Sequence, residues 1–273
     1  MSTLTATAVP RTRPPYKVTG ARVLRSEWAK LWSLRSTWIT LGLSLVIMVA
    51  FGLIFASTYA PGGTGHGPGA DAKDGIAIAL GGLGFAQLTI GVLGVLVMAG
   101  EYSTGMIRST LAAVPERLPV LWAKVTSYGG IAFAVATVGA FAAFFSTQVV
   151  LHGTDITLGI GSSGVVRSLF GAGLYLALVG VLGVALGALI RSVAGGIGLL
   201  VTVLMLLPLF SDLLPTAMKN DVSPFLPSVA GGSMYSLHQA SHTLSPGAGL
   251  AVFVGWVAVA LAGAAWRLKR ADA

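Results

Sequence analysis

The chain contains no cysteine, which excludes disulfides, thiolate catalysis and zinc–thiolate sites. Charged residues are also scarce, at 10% of 273 residues, whereas a soluble domain usually carries about a quarter. Hydrophobic residues make up 55% of the chain, and its mean hydropathy is +0.84. A soluble fold would have too little polar surface at this composition. The composition therefore predicts a membrane protein.

Motifs for nucleotide and metal binding are missing or out of context. No Gly-x-x-x-x-Gly-Lys-Ser/Thr is present, so the backbone loop that cradles nucleotide phosphates is absent. Residues 159–164 match the dinucleotide fingerprint, but that motif works only between a strand and a helix, so we interpret them as a loop. His238 and His242 could share a helical face as a metal pair, yet no third ligand is near. We expect no catalytic residue, bound cofactor or metal, and hence no enzyme.

Six apolar runs reach the length of about 20 residues that a helix needs to cross a hydrocarbon core. They lie at residues 38–59, 76–99, 125–150, 168–190, 193–214 and 247–266. Only Arg191 and Ser192 separate the fourth run from the fifth, and one helix over both would be about 70 Å long. Two antiparallel spans, with a turn at Arg191 relaxed by Gly195 and Gly196, are therefore predicted. The fold class is all-α, a polytopic membrane protein with one transmembrane domain over 38–266.

The 17 basic residues fall unequally on the two sides of these spans. Lys73, Arg167 and Lys219 lie on one side. The other fourteen lie on the side that holds both termini: Arg11, Arg13, Lys17, Arg22, Arg25, Lys30, Arg35, Arg108, Arg117, Lys124, Arg191, Arg267, Lys269 and Arg270. The positive-inside rule therefore predicts cytoplasmic termini. The net charge of +8 then reflects topology and affinity for anionic lipid rather than nucleic-acid binding.

The segments outside the spans differ in character. Residues 1–19 are predicted to be a disordered cytoplasmic tail and 267–273 a second cytoplasmic tail. Over 20–37, apolar residues recur at helical spacing, which favours a basic amphipathic helix in the membrane interface; the alternative is a positively charged flank of the first span. The apolar, proline-rich segment 215–246 predicts broken or re-entrant helices packed against the bundle.

Few polar groups lie inside the spans. Gln87, Thr89 and Thr202 are candidates for a translocation path. Gly183 and Gly187 form a Gly-x-x-x-Gly pair, which lets helices approach closely in lipid. That contact could lie within the chain or across a dimer.

Two stretches resemble type-2 ABC transporter permeases of high-GC Gram-positive bacteria. Residues 24–38, LRSEWAKLWSLRSTW, resemble the lead before the first span, and residues 101–111, EYSTGMIRSTL, resemble the sequence after the second. Pro115-Glu116-Arg117 and Ala123-Lys124 extend the match, while Met106 stands where threonine is more usual. The span layout agrees as well, so the resemblance covers nearly the whole chain.

This resemblance implies a permease subunit in a bacterial plasma membrane. It would pair with a second permease half, either a copy or a different chain, and with cytosolic ABC ATPase subunits that hold ATP and Mg. The helix before the first span would be the elbow helix, with Arg25, Glu27, Trp28, Lys30, Leu31 and Trp32. The loop after the second span would carry a coupling helix that docks on the ATPase, through Glu101, Tyr102, Ser103, Thr104, Gly105 and Arg108. For Glu101 and Arg108 the alternative is local helix capping and an ion pair.

The expected function is export of a hydrophobic or amphipathic compound, such as a drug, peptide or lipid. An alternative is a non-transporting membrane anchor or immunity protein that recruits an ATPase. An intramembrane enzyme is disfavoured, because no base, nucleophile or metal triad is paired in the sequence.

Overall fold

A computed structural model describes residues 19–60, 74–114, 117–239 and 242–270. This part of the chain is helical and contains no strand. The predictions for residues 1–18, Lys73, Pro115, Glu116 and 271–273 lie outside the described residues.

Eleven helices carry the fold of the described residues. They are α1 Gly20–Ser33, α2 Arg35–Thr58, α3 Gly75–Ala79, α4 Leu83–Ser103, α5 Met106–Ala113, α6 Arg117–Val150, α7 Val165–Ile190, α8 Val193–Ser211, α9 Thr216–Val222, α10 Pro227–Tyr235 and α11 Pro246–Arg270. Six of them, α2, α4, α6, α7, α8 and α11, are long and apolar enough to cross a membrane. The predicted fold class is therefore confirmed, and the chain is a multi-pass membrane protein.

Several predicted boundaries differ from the ends of the helices. The helix of the second span begins at Leu83 rather than 76, because a turn at residues 80–82 separates α3 from α4; there Gly82 lies so close to α2 that a Cβ would approach the Ile47 carbonyl oxygen to 2.9 Å. The helix of the third span begins at Arg117 rather than 125. The predicted tail from 267 is helical as far as Arg270. The amphipathic helix ends at Ser33, where extended backbone at Leu34 turns the chain into α2.

Helix α7 is the centre of the bundle, with 78% of its most apolar window buried. It packs on α4 through glycines of both helices. A Cβ added at Gly183 would collide with the carbonyl oxygen of Gly91, and one at Gly187 would lie 2.9 Å from the carbonyl oxygen of Val95. The Gly-x-x-x-Gly pair therefore forms a contact within the chain, which we call the α4–α7 seam.

Hydrogen bonds between helix ends show which of those ends lie together at each end of the bundle. Arg117 Nη1 donates to the Leu268 carbonyl at 3.2 Å, and Arg191 Nη2 to the Arg267 carbonyl at 3.4 Å. The start of α6 and the ends of α7 and α11 therefore share one end, here called the basic end. At the opposite end, Tyr59 donates to Asp155 at 2.7 Å.

Two more contacts close the opposite end. Asp74 Oδ2 lies 2.7 Å from His238 Nδ1, and Arg167 donates to the carbonyls of Met234 at 3.2 Å and Ser236 at 2.9 Å. These contacts hold the end of α10 and the segment after it against the starts of α3 and α7. The spans therefore alternate in direction, as the charge pattern predicts.

The turn between α7 and α8 confirms two separate spans. Arg191 adopts left-handed backbone with φ of 60°, and the Ser192 hydroxyl accepts from the Gly195 amide at 3.4 Å. Gly195 and Gly196 lie inside the first turn of α8, so they do not relax the turn as predicted.

The structure also tests the predictions for two loops and for one pair of histidines. The segment 215–246 contains α9, a 3₁₀ turn and α10, which confirms broken helices. Residues 159–164 form turns between α6 and α7. His238 and His242 lie outside any helix, so they share no helical face.

Candidate functional site

Four charged side chains from three helices meet at the basic end. We call Glu27 and Lys30 of α1, Glu101 of α4 and Lys124 of α6 the charge cluster. Lys124 Nζ lies 2.6 Å from Glu27 Oε2 and 2.7 Å from Glu101 Oε1. Lys30 Nζ lies 2.7 Å from Glu27 Oε1 and 3.0 Å from Glu101 Oε1. Each ammonium therefore bridges both carboxylates, and the formal charge of the cluster is zero.

The charge cluster is deeply buried. Glu27 and Lys124 are 2% exposed and Glu101 is 4% exposed. Isolated charges at such positions would lose much hydration free energy, so reciprocal pairing is what makes their burial tolerable. Removing any one member leaves an excess charge in an apolar surrounding.

Lys30 is the most exposed member, with 29% of its side chain accessible. Partial burial by itself lowers the pKa of Lys30, but its hydrogen bonds to Glu27 and Glu101 and their charges outweigh burial and raise the pKa above its ordinary 10.5. Lys30 therefore stays charged at every physiological pH, and the pairing persists with it.

Helix α1 has two different faces. Glu27 shares its inward face with Val23 and Leu31, which are 6% and 3% exposed. The outward face carries Trp28 and Trp32, which are 45% and 58% exposed. The apolar residues of this helix are thus divided between the bundle and its surroundings, and Glu27 lies between two apolar residues on the inward face.

Helix α5 lies beside the charge cluster. Gly105 adopts φ of 74°, which glycine reaches without strain and which turns the chain from α4 into α5. Ile107 is buried in the main core, whereas Arg108 is exposed. Lys30 Nζ also reaches the Thr110 hydroxyl of α5 at 3.4 Å. The short helix is therefore connected to the charge cluster by a polar contact as well as by packing.

A cavity of about 250 Å³ opens beside the charge cluster, between α1 and α4. Its walls include Leu31, Leu34, Leu96 and Val97. Glu101 also lines it, and among the described residues Glu101 Oε2 is a buried oxygen with no hydrogen-bond partner.

The predicted coupling residues have different surroundings. Glu101 is buried and forms ion pairs with lysines of α1 and α6, Lys30 and Lys124. The Arg191 guanidinium lies over the Tyr102 ring, with its central carbon Cζ 5.1 Å from the ring centre. Ser103 and Thr104 donate to the Gly100 carbonyl, each at 2.9 Å. These hydroxyls cap the end of α4.

The predicted elbow residues divide in the same way. Glu27 and Leu31 face the bundle, Lys30 is partly buried, and Arg25, Trp28 and Trp32 are exposed. Sequence reasoning missed Lys124 as a site residue, since it was counted only as a topology signal and as part of the family resemblance. The available signal was that Glu27, Glu101 and Lys124 each adjoin an apolar run, where unpaired charge is unfavourable.

The three candidates for a translocation path make separate hydrogen bonds. Gln87 is buried and accepts from the Tyr175 hydroxyl of α7. Thr89 donates to the Ala86 carbonyl at 2.8 Å, and Thr202 to the Gly198 carbonyl at 2.9 Å. Thr202 begins a π-helical segment, Thr202–Leu206, within α8. The three residues therefore do not join into one polar network.

In comparisons with known proteins, no family model and no curated protein matches this chain.

Proposed function

We propose that this chain is the permease subunit of an ATP-driven ABC exporter, with ATP hydrolysed by a separate cytosolic subunit. The charge cluster is the observation that carries this proposal. It ties a helix outside the spans, α1, to the ends of two spans, α4 and α6, and it contacts α5. A force applied to α5 would therefore reach three helices at once.

The proposed coupling step begins at α5. Its exposed surface, which includes Arg108, docks on the ATPase, and its buried Ile107 and partly buried Thr110 transmit the displacement. The charge cluster then moves α1 with α4 and α6, because separating its members would expose unpaired charge in an apolar interior. In this proposal the basic end faces the cytoplasm of a bacterial cell, as the positive-inside rule requires.

A second permease half, either a copy or a different chain, would cover α2 and α8, two of the three least buried spans. Only 17% of the most apolar window of α8 is buried, and 28% of those of α2 and α11, against 56% for α4. Both α2 and α8 pack on α4, whose Phe85 and Leu96 are 47% and 42% exposed. In the proposal a hydrophobic or amphipathic substrate crosses along this α2–α4–α8 face. The π-helical segment of α8 supports it, since such segments are frequent at functional sites.

The proposal is tested by affinity purification of the chain from its native membranes, with identification of any ATPase that accompanies it. Arg108→Glu reverses an exposed charge on α5, and we expect ATPase recovery to fall about tenfold or more, since a like-charge contact at an interface opposes binding by several kcal/mol. Lys269→Glu reverses an exposed charge at the same end on α11 and is the matched control. Equal recovery with both variants would remove α5 as the docking element.

A second measurement separates a transporter from an anchor. Glu101→Gln leaves the exposed surface of α5 unchanged while weakening the charge cluster. We expect the ATPase to bind this variant but to lose its response to amphipathic substrates. An ATPase that binds the unaltered chain and responds to none of them identifies a non-transporting anchor or immunity protein instead.

A further inference from the structure

A second cavity, of about 350 Å³, opens at the end of the bundle opposite the basic end. Helices α6, α7, α10 and α11 form its walls, and we call it the Arg167 groove. Its apolar lining includes Phe133, Phe170, Leu174 and Leu250. Among the described residues that line it, Arg167 is the one with a formal charge. The groove therefore combines an apolar wall with a single cation.

The charged and apolar parts of the groove lie at different depths. Arg167 lies in the first turn of α7, and Phe170 and Leu174 follow it at spacings of three and four residues. This spacing places the three side chains on one face of the helix, with Leu174 about 10 Å further along the axis than Arg167. Arg167 is exposed, and Phe170 is 47% exposed. The groove is therefore open to its surroundings, with its cation at the end of the span and its apolar wall deeper in it.

The partners of Arg167 leave its charge uncompensated. It donates to the carbonyls of Met234 and Ser236, at 3.2 and 2.9 Å, and to the Ser168 hydroxyl at 3.5 Å. All three acceptors are neutral, and within the described ranges no carboxylate forms an ion pair with Arg167. A guanidinium has five N–H donors, so these bonds leave two for a ligand. Phosphate is a ligand that such a planar donor group suits well.

The groove also restricts the rest of the ligand. Its apolar wall suits an acyl chain, because an ionic ligand of low mass would leave Phe170 and Leu174 uncovered. The described lining offers no carboxylate, so a headgroup with an ammonium would place a second cation beside Arg167 without a partner. A fitting ligand therefore has a phosphate, a headgroup that carries no positive charge, and an acyl chain.

We propose that the Arg167 groove binds an anionic phospholipid with a neutral alcohol headgroup, of the phosphatidylglycerol class. The lipid phosphate accepts from Arg167, and an acyl chain lies along Phe170 and Leu174. This site does not rest on the transport proposal, since it needs neither an ATPase nor a second permease half.

The test is a pair of photoactivatable lipids that differ only in the headgroup. The purified full chain is placed in phosphatidylcholine nanodiscs with a small fraction of phosphatidylglycerol or phosphatidylcholine, each carrying the same diazirine on its acyl chain. After illumination, mass spectrometry of proteolytic fragments locates the labelled residues, which separates this groove from the basic end. We expect labelling around Leu174 and Leu250 to be about three- to fivefold greater with phosphatidylglycerol, because choline adds a cation beside Arg167.

Substitutions of Arg167 test whether its charge sets this preference. We expect Arg167→Gln to label equally with the two lipids. Arg167→Lys keeps the charge but not the planar donor group that reaches two carbonyls, and it should keep the preference. Lys269→Gln removes the same charge from an exposed position at the basic end and is the matched control. It should leave the labelling of the groove unchanged.

Gly247→Leu tests whether the labelled lipid occupies the groove. Gly247 lines it and has open space where a Cβ would be added, so leucine fills the groove without a backbone clash. Gly255→Leu places the same side chain in open space on the same helix, about 12 Å further along its axis. We expect Gly247→Leu to lower the labelling by both lipids at least threefold and Gly255→Leu to preserve it.

Four results would overturn the site. They are equal labelling by both lipids in the unaltered chain, a preference that survives Arg167→Gln, labelling that survives Gly247→Leu, and no labelling of the groove by either lipid. The last would assign the groove to a partner protein or a second copy of the chain. The headgroup comparison uses the unaltered chain, so a poorly folded variant does not leave the question open.

Discussion

The ammonium of Lys124 bridges two carboxylates at 2.6 and 2.7 Å while only 2% of the residue is exposed. Lys124→Met would keep much of the side-chain volume, but it would leave the carboxylates of Glu27 and Glu101 with Lys30 as their one remaining cation in the charge cluster. We expect the free energy of unfolding to fall by about 3–5 kcal/mol, as when one partner of a buried ion pair is removed. Denaturant titration of the purified chain in detergent micelles measures this loss.

Lys269→Met is the matched control, since Lys269 is exposed at the same end of the bundle. Its expected effect is within about 0.5 kcal/mol, as for most surface substitutions. Adding Glu101→Gln to Lys124→Met restores a neutral Glu27–Lys30 pair and should recover part of the loss. A double variant less stable than Lys124→Met alone would contradict the electrostatic explanation.

At the residue scale, the sequence indicates which charged residues matter, but it does not indicate which residues they pair with. Lys30 is within one helical turn of Glu27, so that pair could be predicted from spacing. Lys124 is 97 residues from Glu27, and the link depends on how three helices pack. Spacing along the chain carries no information about such a contact. The Arg108 assignment to the coupling helix stays a prediction.

Among the elements, α4 and α7 pack backbone against backbone at the α4–α7 seam. Gly183→Ala would place a Cβ against the carbonyl oxygen of Gly91, so the two helices must separate. We expect a loss of about 1–3 kcal/mol in the free energy of unfolding, the usual effect of overpacking. Thermal unfolding of the detergent-solubilised protein is the measurement.

Gly130→Ala provides the comparison for the seam. Gly130 lies in α6 with nothing within 4 Å of an added Cβ, and alanine favours a helix more than glycine does. The unfolding temperature of Gly130→Ala should equal or exceed that of the unaltered chain. Equal losses from both substitutions would mean that close packing at Gly183 contributes nothing.

The elements themselves were largely predictable, because apolar length and helical spacing are local properties. Their ends were less so. The break between α3 and α4 depends on the approach of α2 to Gly82, and the early start of α6 depends on the pairing that lets Lys124 lie in a buried helix. Both helix ends depend on contacts with other helices, and the hydropathy of the segment itself does not reveal those contacts.

For the whole molecule, the two ends of the bundle yield a topology prediction. Because the chain has no cysteine, one introduced thiol is a unique label. Ser26 and Ser163 are both exposed, in α1 and in the loop between α6 and α7. In intact spheroplasts a membrane-impermeant maleimide should label Ser163→Cys, and should label Ser26→Cys only after permeabilisation.

The two cysteine variants control for each other, since both replace an exposed serine. Labelling of Ser26→Cys alone in intact spheroplasts would invert the orientation and place the charge cluster outside. That result would also remove α5 from the reach of a cytosolic ATPase. Labelling of both would mean that the serines do not lie on opposite sides of the membrane.

The charge cluster also sets an order of events during synthesis. Glu27 and Lys124 are 97 residues apart, which corresponds to roughly 5–20 s of chain elongation. Until Lys124 has been made, Glu27 lacks its closest partner, and burying its carboxylate would be unfavourable. Helix α1 therefore remains in contact with water while the first two spans insert. Although α1 precedes α4 and α6, it docks only after both of them have been made.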